Sequence, residues 1–230
     1  MRLNIIECDI LYPDLLDDYR SYGTMFERYF RQFEPALEVH YYSALEQQLP
    51  DEDTPGTFLI TGSKAGVYEN HAWIAPLMAW IREAHAREAR ILGICFGHQV
   101  LAEALGGKVT KSEKGWGVGV RELAWHGQHL LPQKERLKLI YSHQDQVQQL
   151  PQGAELMAGD DFCPHAAFHI GNRVMGFQGH PEFDAAYTRR LLPRRAADIG
   201  EPRFQQAMVS LTQATDSVEL GARLIRWLLG

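Results

Sequence analysis

One cysteine of this sequence lies between a predicted apolar strand and a predicted helix, and this placement limits the folds that the chain can adopt. Residues 90–94 form a short apolar segment, Cys95 follows at once, and the pattern up to residue 104 is helical. Glycines flank the cysteine as Gly93-Ile-Cys95-Phe-Gly97. This arrangement is typical of a nucleophile elbow, a tight strand-to-helix turn whose neighbouring atoms leave no room for larger side chains. The segment therefore predicts a buried strand that presents Cys95 at its carboxyl end.

The rest of the first half alternates strand and helix. The predicted strands are residues 3–7, 37–42, 57–61 and 90–94, and the predicted helices are residues 17–33, 71–87 and 96–104. Such alternation favours a parallel sheet covered on both faces. Later strands are predicted at residues 117–125, 137–141 and 174–178, and later helices at residues 183–199 and 217–229. No linker-like segment interrupts the pattern, so we expect one α/β domain over residues 1–230.

Composition excludes several classes of protein. The chain of 230 residues has 23 basic and 29 acidic side chains, a net charge of −6 that gives no support to nucleic-acid binding. No apolar run of about 18 residues predicts a membrane span, and the N-terminus lacks the features of a signal peptide. Three widely spaced cysteines, Cys8, Cys95 and Cys163, do not suggest disulfides. A cytoplasmic location is the expectation.

Cys95 has the local context of a reactive thiol. The start of a helix favours a thiolate, and the backbone N–H of Phe96 would point toward a developing oxyanion. The alternative is a cysteine packed in the core, which is the usual place of a free cysteine. The flanking glycines favour the nucleophile, provided that a base and an orienting group exist elsewhere in the chain.

His180 and Glu182 are the candidates for those two roles. They lie two positions apart in Gly179-His180-Pro-Glu182, directly after an apolar strand. In an extended segment, residues i and i+2 point the same way, and Pro181 stiffens the link between them. A histidine that takes the thiol proton and a carboxylate that holds its ring would complete a triad. A surface His-Pro-Glu turn is the alternative.

The two motifs together resemble the class I glutamine amidotransferase family. The resemblance rests on Gly93-Ile-Cys95-Phe-Gly-His-Gln99, on Gln178-Gly-His180-Pro-Glu182, and on the separation of 85 positions from the cysteine to the histidine. It implies a flavodoxin-like, doubly wound, mostly parallel sheet with flanking helices. It also implies that Cys95 is the nucleophile, His180 the general base and Glu182 its orienting group. No cofactor and no metal are implied.

The same resemblance suggests further site residues. Gln99 matches a position that lines the glutamine pocket of the family. The segment Ile60-Thr-Gly62-Ser63 resembles the loop whose amide completes the oxyanion hole, although Gly-Ser-Lys replaces the usual Gly-Gly-Pro run. Either amide could therefore serve, and Ser63 is favoured over Gly62. Ser142 and His143 belong to Ser-His-Gln-Asp-Gln-Val147, which resembles a substrate-binding segment of GMP synthase-like members. A strand end followed by a polar turn is the alternative for that segment.

These expectations leave three functions open. The first is a glutaminase-type amidotransferase that cleaves the γ-amide of glutamine through a γ-glutamyl thioester and releases ammonia. The second is a γ-glutamyl peptidase, and the third is a catalytically idle regulatory module. No Gly-x-x-x-x-Gly-Lys-[Ser/Thr] phosphate loop is present, so any synthetase would be a separate partner chain. The expected ligand is a small molecule, glutamine or a γ-glutamyl compound.

Two other groups of residues have simpler interpretations. Cys163 with His165 and His169, and His126 with His129, form no closed four-ligand pattern, so a metal site is not predicted. The pairs Arg189-Arg190 and Arg194-Arg195 are predicted to lie on a solvated helix face, with a phosphate or partner contact as the alternative.

Overall fold

A single nine-stranded sheet runs through the computed structural model, which describes residues 2–128 and 130–230. The strands are β1 Arg2–Glu7, β2 Glu38–Ser43, β3 Thr57–Ile60, β4 Ile91–Ile94, β5 Lys108–Lys111, β6 Gly117–Trp125, β7 Arg136–His143, β8 Asp145–Gln149, β9 Ala154–Gly159, β10 Ala167–Ile170 and β11 Val174–Phe177. The α-helices are α1 Leu16–Tyr19, α2 Tyr22–Arg31, α3 Ile74–Ala86, α4 Phe96–Ala104, α5 Ala185–Leu191, α6 Ala196–Ile199, α7 Glu201–Ser210 and α8 Ser217–Leu229. Two short 3-10 helices cover Pro13–Leu15 and Leu192–Arg195.

The sheet has the order β2-β1-β3-β4-β11-β10-β9-β6-β7. Strands β2, β1, β3, β4 and β11 are parallel, and the remaining strands extend the sheet in antiparallel pairs. Strands β5 and β8 form a separate two-stranded antiparallel sheet. The predicted flavodoxin-like α/β fold with flanking helices is confirmed. The register of β4 with β11, in which Ile94 pairs with Phe177, brings the ends of both strands to the same edge.

Helices cover the parallel part of the sheet on both faces, where strands β1, β3 and β4 bury side chains on both sides. On one face, Phe26 and Phe30 of α2 and Leu224 of α8 share a buried cluster with strands β1, β3 and β4. On the other face, Leu77 of α3 and Val100 of α4 pack against the opposite side of the same strands. Strand β4 is buried along its whole length, as its continuous apolar sequence predicts.

Several predicted elements differ in extent. The predicted helix at residues 17–33 is broken, because Arg20 has a left-handed φ of 63° and Ser21 starts a new helix by accepting a hydrogen bond from the Thr24 N–H. The predicted helix at residues 183–199 is three short segments, with Pro193 in the 3-10 turn between two of them. Strands β5, β8, β9 and β10 and helix α7 are absent from the sequence prediction. The missed strands are short and carry no clear alternation, so periodicity gives little signal there.

In the described part of the chain, none of the helices combines the length and the apolar character that crossing a membrane requires.

Candidate active site

Cys95 occupies a strained turn between β4 and α4. Its φ of 55° and ψ of −104° lie in a region that side-chain-bearing residues rarely adopt. A Cβ atom on Gly97 would lie 2.2 Å from the Ile60 carbonyl oxygen, and one on Gly93 would lie 2.4 Å from the Gly97 backbone. Both glycines are therefore needed for close backbone approach, as the Gly-x-Cys-x-Gly pattern predicts.

Hydrogen bonds from neighbouring strands hold the turn in place. The Cys95 N–H donates to the Phe177 carbonyl of β11 at 2.8 Å, and the Gly97 N–H donates to the Thr61 carbonyl at 3.1 Å. The Phe96 N–H opens helix α4, where an amide has no partner within the helix itself. The turn thus places one helix-terminal N–H directly beside the cysteine.

His180 follows β11 and is fixed by two contacts. Its backbone N–H donates to the Ile140 carbonyl of β7 at 2.8 Å. Its ring stacks on Phe183 with a centroid distance of 3.8 Å and an interplanar angle of 6°. The first contact holds the backbone of His180, and the second restrains the orientation of its ring.

The side chains of Cys95, His180 and Glu182 lie together. Nδ1 of His180 is 2.7 Å from Oε1 of Glu182, and the His180 ring lies close enough to the Cys95 sulfur to interact with it. The Glu182 side chain is fully buried and that of His180 is 4% exposed. Burial opposes the charged imidazolium, but the Glu182 carboxylate and the Cys95 sulfur outweigh it and raise the pKa of His180. The arrangement therefore favours a protonated imidazole beside the Cys95 sulfur.

The loop after β3 approaches this group closely. A Cβ atom on Gly62 would lie 3.3 Å from Cε1 of His180 and 3.6 Å from Cβ of Cys95. Ser63 lines the same cavities as Cys95, and its hydroxyl accepts a hydrogen bond from the Ala65 N–H at 3.1 Å. Both candidate oxyanion residues of this loop therefore lie next to the thiol.

Cys95 opens into a cleft with a volume of about 300 Å³. Its walls are mainly polar and come from the loops after β1, β3, β7 and the 3-10 turn before α6. The lining side chains include Tyr12, Ser63, Lys64, Tyr68, Glu69, Gln99, Lys111, Trp116, Ser142, His143, Asp145, Arg194, Arg195 and Asp198. A space of this size can hold a dipeptide-sized ligand.

The three predicted substrate-binding residues all line this cleft. The Gln99 side chain donates to the Asp145 carbonyl at 2.9 Å and to Oε1 of Gln178 at 3.0 Å. Ser142 holds its hydroxyl 2.8 Å from Nη1 of Arg195. Nδ1 of His143 bonds the Asp145 carbonyl at 3.0 Å, and burial lowers the pKa of His143 to about 3, so its ring is neutral at pH 7.

The structure places Arg195 differently from the sequence prediction. Instead of lying on a solvated helix face, Arg195 points its guanidinium into the cleft and contacts Ser142. Arg194 also lines the cleft, whereas Arg190 pairs with Asp18 on the surface as predicted. Helical periodicity could not find this, because the chain changes from α5 to a 3-10 turn just before these two residues.

The other two cysteines lie in the core of the protein, away from the cleft. Cys8 and Cys163 are buried at 0% and 1% exposure, and burial raises the pKa of both thiols, that of Cys163 to about 12. Within residues 2–128 and 130–230, no three His, Cys, Asp or Glu side chains group closely enough to bind a metal ion. His129, which the sequence places near His126, lies outside the described residues.

Comparison with known proteins gives a consistent answer. The sequence profile "Glutamine amidotransferase class-I" matches residues 14–196. Gamma-glutamyl peptidase 3 of Arabidopsis thaliana is 30% identical over 211 residues, which cover 82% of this chain and 84% of the relative. A GMP synthase (glutamine-hydrolyzing) of Aeropyrum pernix is 34% identical over 131 residues, covering 56% of this chain but 26% of the synthase.

Solved structures agree on the fold. A glutamine amidotransferase from Thermotoga maritima superimposes with a TM-score of 0.77 at 22% identity, covering 100% of this chain and 96% of that one. A glutamine amidotransferase from Methylobacillus flagellatus gives the same TM-score at 21% identity, with 99% and 95% coverage. A profile that matches most of the chain and a fold shared over its whole length lead to one assignment: the chain belongs to the class I glutamine amidotransferase family.

Proposed function

We propose that the protein is a cysteine hydrolase that cleaves γ-glutamyl amide bonds through a γ-glutamyl thioester on Cys95. The observation that carries the proposal is the contact chain from the Cys95 sulfur through the His180 ring to the buried Glu182 carboxylate. A nucleophile, a base and an orienting group in this order are the requirement for thiol catalysis. A regulatory module without activity would have no physical need for all three.

The reaction begins with the thiolate of Cys95 and the imidazolium of His180. The sulfur attacks the γ-carbonyl carbon, and the oxyanion is stabilised by backbone N–H groups. In this proposal the donors are Phe96 and the loop after β3, with Ser63 favoured over Gly62. His180 then donates its proton to the nitrogen, the C–N bond breaks, and the amine or ammonia leaves.

Hydrolysis of the thioester regenerates the enzyme. Neutral His180 takes a proton from a water molecule, and the resulting hydroxide attacks the thioester carbonyl. The C–S bond breaks, glutamate leaves, and the thiolate is again paired with the imidazolium. Glu182 keeps the ring oriented and its charge balanced throughout both halves of the reaction.

Two donors fit this chemistry. Glutamine, with release of ammonia, is the donor that the family name indicates, and a separate synthetase chain would then be a partner. γ-Glutamyl peptides are the second candidate, favoured by the relative named Gamma-glutamyl peptidase 3, which aligns over most of both chains. In the second case no synthetase is required.

The test measures both activities on the purified protein. Glutamate release from glutamine and from γ-glutamyl dipeptides is compared with the Cys95→Ala variant as the blank. Mass spectrometry of an acid-quenched reaction should show a γ-glutamyl adduct on the peptide that contains Cys95. Absence of glutamate release and of any adduct with every γ-glutamyl compound would reject the proposal.

A further inference from the structure

We propose that Arg195 forms an anion subsite that binds a carboxylate on the leaving group, so that the preferred substrates are γ-glutamyl amides of amino acids. The inference rests on the proposed function and names its substrate class. Glutamine has no carboxylate on the leaving side, because its leaving group is ammonia. The subsite would therefore separate a peptide substrate from glutamine.

The first support is the way in which Arg195 is held. Its Nη1 donates to the Ser142 hydroxyl at 2.8 Å and approaches the Ser142 carbonyl at 3.3 Å. Its guanidinium lies over the Trp116 ring at 5.5 Å from the centroid. A guanidinium held from two sides is preorganised, so a ligand loses less side-chain entropy on binding to it.

The second support is a positive charge that no carboxylate contacts. Of the four basic side chains in the cleft, Lys64 pairs with Asp9 at 2.8 Å and Arg194 pairs with Asp14, whereas Lys111 and Arg195 form no ion pair with the described residues. No carboxylate oxygen of the described residues lies within 4 Å of the Arg195 nitrogens. A partly buried guanidinium that has no acidic partner can form a charge-assisted hydrogen bond with an incoming carboxylate.

The third support is the position of Arg195 relative to the thiol. Arg195 lines the cleft together with Cys95, and it also lines a smaller cavity together with Cys95 and His180. In a γ-glutamyl amino acid the leaving-group carboxylate is separated from the scissile nitrogen by one carbon. A carboxylate this close to the reacting bond falls within the part of the cleft that Arg195 shares with the nucleophile.

The opposite end of the substrate has its own candidate partners. Asp145 receives a hydrogen bond from the Tyr68 hydroxyl at 3.0 Å, and its backbone carbonyl receives one from Gln99 at 2.9 Å. Hydrogen bonds thus hold Asp145 in place, and its carboxylate can pair with the α-ammonium group of the substrate. With the γ-glutamyl end on the Asp145 side, the leaving group extends toward Arg195 and Trp116.

The experiment compares two substrates, only one of which has a carboxylate on its leaving group. They are γ-glutamylglycine and γ-glutamylmethylamide, and kcat/KM is measured for each with the wild-type protein and the Arg195→Met variant. The ratio of the two kcat/KM values should fall about tenfold to one hundredfold in the variant, the effect of losing hydrogen bonds to a charged group. Arg195→Lys, which keeps the positive charge but lacks the planar guanidinium with its paired N–H donors, should give an intermediate ratio.

Arg194→Met is the matched control, because Arg194 lines the same cleft but is already paired with Asp14. Its substrate ratio should equal that of the wild type. Equal losses on both substrates in Arg195→Met would overturn the proposal, since they would show that Arg195 only positions Ser142. Should the methionine variant fail to fold, Arg195→Gln is subjected to the same comparison.

A failure of the proposed function would be seen separately. If the wild-type protein releases no glutamate from these two substrates, from other γ-glutamyl dipeptides or from glutamine, and forms no γ-glutamyl adduct on Cys95, hydrolysis is rejected, and the subsite is then tested by binding alone. Calorimetry would compare γ-glutamylglycine binding to Cys95→Ala and to the double variant Cys95→Ala/Arg195→Met. Weaker binding by the double variant, by about tenfold or more, supports the subsite, and equal affinity or no binding to either protein overturns it.

Discussion

Nδ1 of His180 lies 2.7 Å from Oε1 of Glu182, and the carboxylate of that pair is completely shielded from solvent. Both residues lie just after the end of β11, two positions apart in the chain. A buried carboxylate attracts the proton of the imidazole strongly, since water does not screen the interaction. The pair therefore controls the charge of the group that contacts the Cys95 sulfur.

Replacing Glu182 with Gln should reduce kcat for γ-glutamyl hydrolysis by about 10²–10⁴, because the ring loses its orienting charge. The pKa of His180, now raised by that carboxylate, should fall. His180 would then lose its proton at lower pH, so the alkaline limb of the kcat/KM profile should move to lower pH. The measurement is a pH–rate profile of both proteins.

The control for that variant is Glu38→Gln, which removes an exposed carboxylate that is 2.8 Å from His40. This change should leave both rate and profile as in the wild type. An unaltered pH profile in Glu182→Gln would contradict the assigned role of the carboxylate.

The three cysteines should differ sharply in reactivity. Iodoacetamide at neutral pH should alkylate Cys95, which opens to the cleft, and leave Cys8 and Cys163 unmodified while the protein is folded. Burial raises the pKa of the latter two thiols, so they remain protonated and inaccessible. Peptide mapping by mass spectrometry gives the answer, and complete labelling in urea serves as the control. Equal labelling of all three in the native state would argue against a selectively activated Cys95.

Gly97→Ala should destabilise the fold by about 1–3 kcal/mol or more, because the new Cβ would meet the Ile60 carbonyl oxygen at 2.2 Å. The comparison is Gly171→Ala, where the φ of 51° is left-handed but no atom lies within 4 Å of the new Cβ. The free energy of unfolding of that variant should fall by only about 1 kcal/mol, because alanine disfavours a left-handed backbone. Urea unfolding measures both. Similar losses would show that contact in the elbow is not the determining factor.

Stability should decrease as the pH falls below about 6.5. Burial lowers the pKa of His98 and of His143 to about 3, so the folded state keeps both neutral at pH 5. The unfolded chain binds a proton at each histidine near pH 6.5, and stability is therefore lost on acidification. Each residue should contribute a slope of about 1.4 kcal/mol per pH unit between its two pKa values.

The measurement is the free energy of unfolding in urea at pH 7 and pH 5. The variants His98→Asn and His143→Asn should each have a smaller difference between the two pH values than the wild type. A wild-type stability that does not change between these pH values would refute the assignment of both rings as buried and neutral.

Local sequence patterns were sufficient to predict the elbow and the pairing of His180 with Glu182. Both depend on local geometry: two glycines beside Cys95 permit a close turn, and residues two apart in an extended segment share a side. The alternation of strands and helices likewise predicted the parallel half of the sheet. These features are recognisable because the interacting residues are neighbours along the chain.

Contacts between residues far apart in the chain depend on the packing of the strands and helices. The Cys95 sulfur contacts the His180 ring because β4 and β11 are adjacent parallel strands in a register that ends both at one edge. Arg195 reaches the cleft because a 3-10 turn alters the direction of its helical segment, a change that periodicity does not record. Sequence patterns describe spacing along the chain, whereas strand order and helix breaks depend on packing between segments far apart in it.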